Sequence, residues 1–184
     1  MALLNDIPIE IIQQIFNLLP KADLASLCLT NHSNRRHAEP CLYSTINFRW
    51  STSEKPPIIL LLRTLLSRPE LFALIDTFSL VGNAPRHRMS QDQLRLAMPS
   101  NVSLSQFISA IEKTKAPYTD IWVARLETRH MDAFAGLLIA YLSNTTSLTI
   151  TTNFIRNFHL VGKVLRSKAL QFRPPFRFCG RFRF

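Results

Sequence analysis

Apolar positions near the start of the chain recur at helical spacing, and they recur too densely for one core. With Ile7 at zero and about 100° per residue, Ile7, Leu18, Ile11, Ile15, Pro8, Leu19, Ile12, Phe16 and Ile9 fill roughly 200° of arc. Glu10, Gln13, Gln14 and Asn17 share the rest. A helix lying on one core shows a narrower stripe, so residues 7–19 predict a helix covered from two sides, by its own module and by another surface. Pro8 suits the first turn, where its missing N–H is one of the unpaired ones, and Asp6 stands just ahead as a cap. Pro20 ends the pattern. Asp23 then offers a first-turn acid to a second helix, with Leu24, Leu27 and Cys28 at helical spacing up to Leu29. Residues 35–41 predict a third short helix stopped near Pro40. Residues 43–50 read as extended, with Tyr43, Ile46, Phe48 and Trp50 supplying aromatic and β-branched bulk.

Small polar residues and Pro56-Pro57 make 51–57 a linker and the one credible domain boundary. Beyond it, 58–68 is an apolar helix, broken by Arg68-Pro69-Glu70 and followed by a further turn at 71–76. Residues 77–81 alternate as a short strand closed by Gly82-Asn83. Residues 84–99 are polar and irregular. Helices are predicted over 103–115, 118–126, 131–142 and 155–170, and a second strand over 147–150. Helix, short strand and turn thus occur in that order twice, about 70 residues apart. That is a leucine-rich-repeat-like layout with a period far beyond the usual 20–29 residues. Stacked repeats need about three units to bury a continuous core, and two candidate strands predict an incomplete region.

Composition adds less than charge distribution does. The chain has 184 residues and 47% hydrophobic side chains, enough for one domain or a small module plus a second one. The longest apolar run, 133–142, is too short to span a bilayer. Three cysteines without a secretory pattern predict reduced thiols and a cytoplasmic or nuclear location. The net charge of +10 is unevenly placed: residues 153–184 carry eight basic side chains and no acid, whereas residues 1–60 balance five against five. The end of the chain, alternating Phe and Arg around Pro174-Pro175, fits no helix that buries anything. It reads as a disordered basic tail, as the altered end of a longer repeat array, or as an arginine–aromatic grip for single-stranded nucleic acid.

The spaced positions near the N-terminus also carry a resemblance. Ile7-Pro8-x-Glu10-Ile11, Ile15-x-x-Leu18-Leu19-Pro20, Asp23-Leu24-x-x-Leu27-x-Leu29 and Ala38-x-Pro40-x-Leu42-Tyr43, followed by Ile46-x-Phe48, resemble an F-box of the filamentous-fungal type. Pro57-Ile58-x-Leu60-Leu61-Leu62-Arg63 through Leu71, with Met131-Asp132-Ala133, Leu137-Leu138, Leu148 and Asn153-Phe154, is similar to the region that follows it in those proteins. The resemblance implies a mainly α fold: an F-box module of three helices at 1–50, the linker at 51–57, a helical, leucine-rich-repeat-like α/β region at 58–170 that is an incomplete array, and a disordered tail at 171–184. It implies docking on a Skp-type adaptor, and through it a cullin scaffold, with the remainder holding an unknown protein substrate for a ubiquitin ligase. Leu4, Ile7, Pro8, Ile11, Ile15, Leu18, Leu24 and Leu27 are the expected partner-binding residues, acting by apolar burial.

Catalytic chemistry is not expected, nor is a cofactor or a metal. Cys28, His32, His37 and Cys41 have zinc-like spacing, but Cys28 shares the apolar stripe of Leu24, and buried cysteine is a common small hydrophobe. Four scattered glycines make no phosphate loop. His130 and Asp132 resemble an acid/base pair, yet i, i+2 neighbours face apart on a helix, which makes surface decoration the expectation. Tyr118 and Trp122 read as core anchors. The alternatives to an adaptor are a nucleic-acid-binding protein using the Phe/Arg tail, and a truncated remnant that binds the adaptor but no substrate.

Overall fold

The computed structural model describes residues 7–51, 55–82, 94–151, 159–169 and 177–178. Three helices open the chain: α1 (Ile9–Asn17), α2 (Lys21–Thr30) and α3 (His32–Ser44). Asn31 caps α3, its Oδ1 accepting the Asn34 N–H at 2.8 Å, which satisfies one of the unpaired first-turn donors. Pro40 does not stop this helix as expected: it lies inside α3, which runs on to Ser44. Lys21 supports that C-terminal end by donating to the carbonyls of Cys41 (2.7 Å) and Leu42, where the helix dipole favours a cation. These helices enclose a small core of Ile12, Phe16, Leu24 and Ala38.

Strand β1 (Thr45–Trp50) follows α3 without an intervening loop. Next come α4 (Ile58–Ser67), a 3-10 helix (Pro69–Leu74) and β2 (Thr77–Gly82), then α5 (Ser105–Lys113), α6 (Thr119–Glu127), α7 (Met131–Tyr141) and β3 (Ser147–Ile150), and finally α8 (His159–Ala169) and the two-residue β4 (Arg177–Phe178). The strands pair in chain order, all parallel. Parallel neighbours need long crossovers, and the helices supply them. The extended segment expected at 43–50 is a strand over Thr45–Trp50, with Tyr43 and Ser44 still in α3, so three strands of four to six residues build the sheet where sequence alone marked two. Hydrogen bonds of β1 with β2 cross the expected boundary at 51–57, which falls between β1 and α4. The tail expectation for 171–184 lies outside the described residues, apart from Arg177 and Phe178 beside β3.

One sheet face enters the main core. Ile46, Phe78 and Leu148 stand in register, as do Phe48, Leu80 and Ile150, and the Phe48 and Phe78 rings meet edge to face at 6.2 Å. The opposite face presents Thr77, Ser79, Ser147 and Thr149, all half-buried. Asp76 fastens the strand starts: its N–H donates to Ser44 O (2.9 Å), and its carbonyl accepts from Thr146 N (2.8 Å). Helix α7 lies at the centre, with Met131 to Ile139 buried on every side, as a helix that is apolar all round requires.

Two residues of α7 overturn their expected place at the surface. His130 is 4% exposed and Asp132 fully buried. His130 is the N-cap of α7, its Nδ1 accepting the Asp132 N–H at 3.4 Å. The Asp132 carboxylate reaches across to α8, accepting the N–H groups of Leu160 (2.9 Å) and Val161 (3.0 Å), with Arg125 Nη1 3.7 Å away. A carboxylate at a helix N-terminus satisfies unpaired donors and complements the dipole. Burial pushes the Asp132 carboxyl up, against those two amides and Arg125. The i, i+2 argument was sound for an isolated helix, but tertiary packing supplied partners for both sides. Asp132→Ala is expected to leave two buried amides unpaired and to cost about 1–3 kcal/mol in denaturant unfolding, with Asp132→Asn recovering part of the loss.

Candidate partner-binding face

Helix α1 divides its apolar surface as its sequence demands. Ile12 and Phe16 are buried against α2 and α3, and Leu19 packs at the edge of the same core. Ile11, Ile15 and Leu18, at i, i+4 and i+7, remain 44%, 42% and 85% exposed on the adjacent face. Their mean direction lies roughly 100° from that of Ile12 and Phe16, so one core cannot cover both sets.

The expected docking residues scatter over three environments. Leu4 lies outside the described residues. Ile11, Ile15, Leu18 and Pro8 are exposed, and Pro8 forms the N-cap of α1. Ile7 and Leu27 are half-buried against the small core, and Leu24, at 2% exposure, belongs to that core. Leu24 thus holds the module together from within. Within the three-helix module two further large apolar side chains are exposed that were not among the expected docking residues: Ile9 (46%) and Leu29 (87%). Ile9 was already part of the over-wide arc, and Leu29 continued the Leu24, Leu27 series. Both signals were present in the sequence.

The module is held to the sheet by charge as well as by backbone. Glu39 on α3 meets Arg35 Nε at 2.8 Å and accepts both terminal nitrogens of Arg68, with Arg68 Nη2 at 2.9 Å from Oε2. Arg68 is the C-cap of α4, and its Nε reaches Glu70 Oε1 at 2.9 Å. This fork geometry, with Glu39 only 14% exposed, is the arrangement in which an ion pair counts. The Arg68 guanidinium holds the Glu39 carboxyl down to about 2, helped by Arg35 and opposed by burial.

The polar and aromatic groups that the sequence offered as chemical candidates have structural partners. His130 and Asp132 are taken up by helix capping, and Tyr118 and Trp122 stack on each other at 5.7 Å, with Trp122 Nε1 donating to Ala133 O at 2.9 Å. Among the described residues no three His, Cys, Asp or Glu side chains converge on a point. Burial raises the pKa of the Cys28 thiol, helped by Glu39, and burial also raises that of Cys41, against Lys21.

Residues 4–49, about a quarter of the chain, match the F-box-like family model. No curated protein and no solved structure matches the chain.

Because the Glu39 carboxyl sits at about 2 when folded and near 4.5 otherwise, its contribution is fully present above pH 4.5 and is lost as pH falls toward 2. In an acid titration followed by unfolding, Glu39→Gln is expected to be less stable than the parent at pH 7. The gap should narrow steadily below pH 4.5, and a gap unchanged down to pH 2 would contradict the clamp.

Proposed function

We propose that this chain is the substrate-adaptor subunit of a Skp–cullin–F-box type ubiquitin ligase. Its F-box-like domain at 4–49 implies docking on a Skp-type adaptor, and F-box proteins are themselves non-catalytic. The observation that carries the reading is the apolar face of α1, left open by the chain's own core. Ile11, Ile15 and Leu18 are its centre, with Pro8 and Ile9 near its N-terminal end. Ile7, Leu24 and Leu27 support it from beneath, and Leu4 is proposed to extend it. Full burial of one Ile or Leu is worth roughly 1.5–3 kcal/mol, and interface energy concentrates in a few such anchors.

The rest of the proposal concerns geometry. Ubiquitin transfer is carried out by other subunits, so this chain contributes proximity, converting a bimolecular encounter into an intramolecular one. The junction of α3 with β1 and the Glu39–Arg68 pair support a fixed placement of the module on the sheet. The half-exposed face with Thr77, Ser79, Ser147 and Thr149 is the proposed place for a protein substrate. The leucine-rich-repeat-like, filamentous-fungal character of 58–170 is kept as part of this proposal, supported by parallel strands joined through helices. Among the described residues no helix is long and apolar enough to cross a membrane, and the complex is proposed to act in the cytoplasm or nucleus.

Co-expression of the full chain with a Skp-type adaptor, followed by gel filtration at high salt, tests the docking. Co-elution is expected to persist at high salt, since apolar burial is not screened as charge contacts are. Ile11→Asp should abolish it with the thermal transition unchanged, because Ile11 is exposed in the free chain. Retained binding by that variant would remove the α1 face from the interface. Failure of the parent to co-elute would remove the adaptor reading itself.

A further inference from the structure

Among the described residues the sheet ends at β1, which pairs with β2 on one side and with no strand on the other. In a parallel sheet, successive residues of an inner strand bond alternately to its two neighbours. Thr151 N–H donates to Leu80 O and Ser147 N–H to Asp76 O, both at 3.2 Å, so even-numbered positions along β2 bond to β3 and odd-numbered ones to β1. With Ser79 opposite Asn47, this register turns the backbone N–H and C=O of Ile46 and Phe48 toward β2. Those of Asn47 and Arg49 point away from the sheet. Both residues are exposed, and neither side chain has a hydrogen bond or ion pair among the described residues.

An open ladder edge selects its occupant by chemistry, because only an extended chain presents N–H and C=O groups at the matching spacing. The side chains of β1 add a pattern to that backbone. Ile46 and Phe48 pack on the main core yet stay half-buried, so a further strand with apolar residues at alternate positions would cover what they leave open. Asn47 and Arg49 stand on the opposite face. Arg49 is the single ionisable side chain in β1, β2 and β3, and none of these strands holds an acid. A second copy of β1 therefore brings Arg49 no counter-charge, whereas a different strand carrying an acid does. Charge complementarity favours another protein's segment over self-pairing.

We propose that β1 takes up an extended peptide segment of another protein as an additional strand. Its apolar residues lie opposite Ile46 and Phe48, a small polar residue opposite Asn47, and an acid opposite Arg49. The outward N–H and C=O groups of Asn47 and Arg49 supply the ladder. That the segment belongs to the protein substrate rests on the adaptor reading above, whereas the edge itself is tested without an adaptor.

Amide exchange followed by NMR on the isotope-labelled full chain tests this with two hexapeptides. Acetyl-Gly-Val-Thr-Val-Glu-Gly-amide matches a parallel strand, and acetyl-Gly-Glu-Val-Thr-Val-Gly-amide an antiparallel one. At millimolar concentration one of them is expected to slow exchange of the Asn47 and Arg49 amides. Replacing its Glu by Gln should weaken binding by about two- to fivefold, the worth of a cross-strand ion pair, and Arg49→Gln should erase that difference. Asn47→Pro removes the outward N–H and leaves the bonds of Ile46 and Phe48 to β2, so it should fold and lose the peptide. If that variant does not fold, the Glu and Gln peptides compared in Arg49→Gln, an exposed position, still decide the matter. Unprotected Asn47 and Arg49 amides with both peptides, or equal binding of the Glu and Gln forms, would overturn the proposal. So would protection of these amides before peptide is added, which varies with protein concentration if a second copy covers the edge and does not if the chain covers it itself. Failure of the adaptor to co-elute would leave all of these measurements unchanged, so the two readings fail separately.

Discussion

Helix α3 runs into β1 without a loop, and β1 is held in six-residue parallel register with β2. That single backbone constraint couples everything else. A strand edge cannot leave its N–H and C=O groups unpaired in a core, so β1 needs β2, and β2 in turn accepts β3. Each pairing brings a helical crossover onto the same sheet face, and α7 becomes the central helix against which the other crossover helices are arranged. The module at the N-terminus is therefore continuous with the sheet through ladder hydrogen bonds.

Three carboxylates stand at the joints of this arrangement. Glu39 spans α3 and the end of α4 through Arg68. Asp76 joins the starts of β1, β2 and β3, adding a side-chain bond from Thr146 Oγ1 to its Oδ1 at 2.6 Å. Asp132 joins α7 to the first turn of α8. The Asp76 carboxylate is exposed, whereas those of Glu39 and Asp132 meet guanidinium groups or unpaired backbone amides, the partners that make a sheltered carboxylate tolerable. Where α1 meets the outside, by contrast, the joint is left open and apolar. The chain closes its internal junctions with directional polar contacts, whereas the exposed face of α1 is apolar and non-directional.

Much of the N-terminal module was legible in the sequence because its signals are local. The wide arc of α1 carried more apolar surface than one core takes, and Ile12 and Phe16 turn inward while Ile11, Ile15 and Leu18 stay exposed. Periodicity marked the helices and two strands of the remainder, since helical and strand spacing are written in consecutive residues. What sequence could not decide was whatever depended on a partner far along the chain. Residues 45–50 became a strand only because 77–82 lay beside them, Pro40 was carried through α3 with Lys21 bonded to that helix's end, and Leu24 was drawn inside its own module. Asp132 found its partners in the amides of α8, nearly thirty residues on, which no local pattern announces, and His130 pairs with Arg95, 35 residues back. Helical phase is fixed by neighbours in sequence, but burial and polar partnership are fixed by neighbours in space, and only folding brings those together.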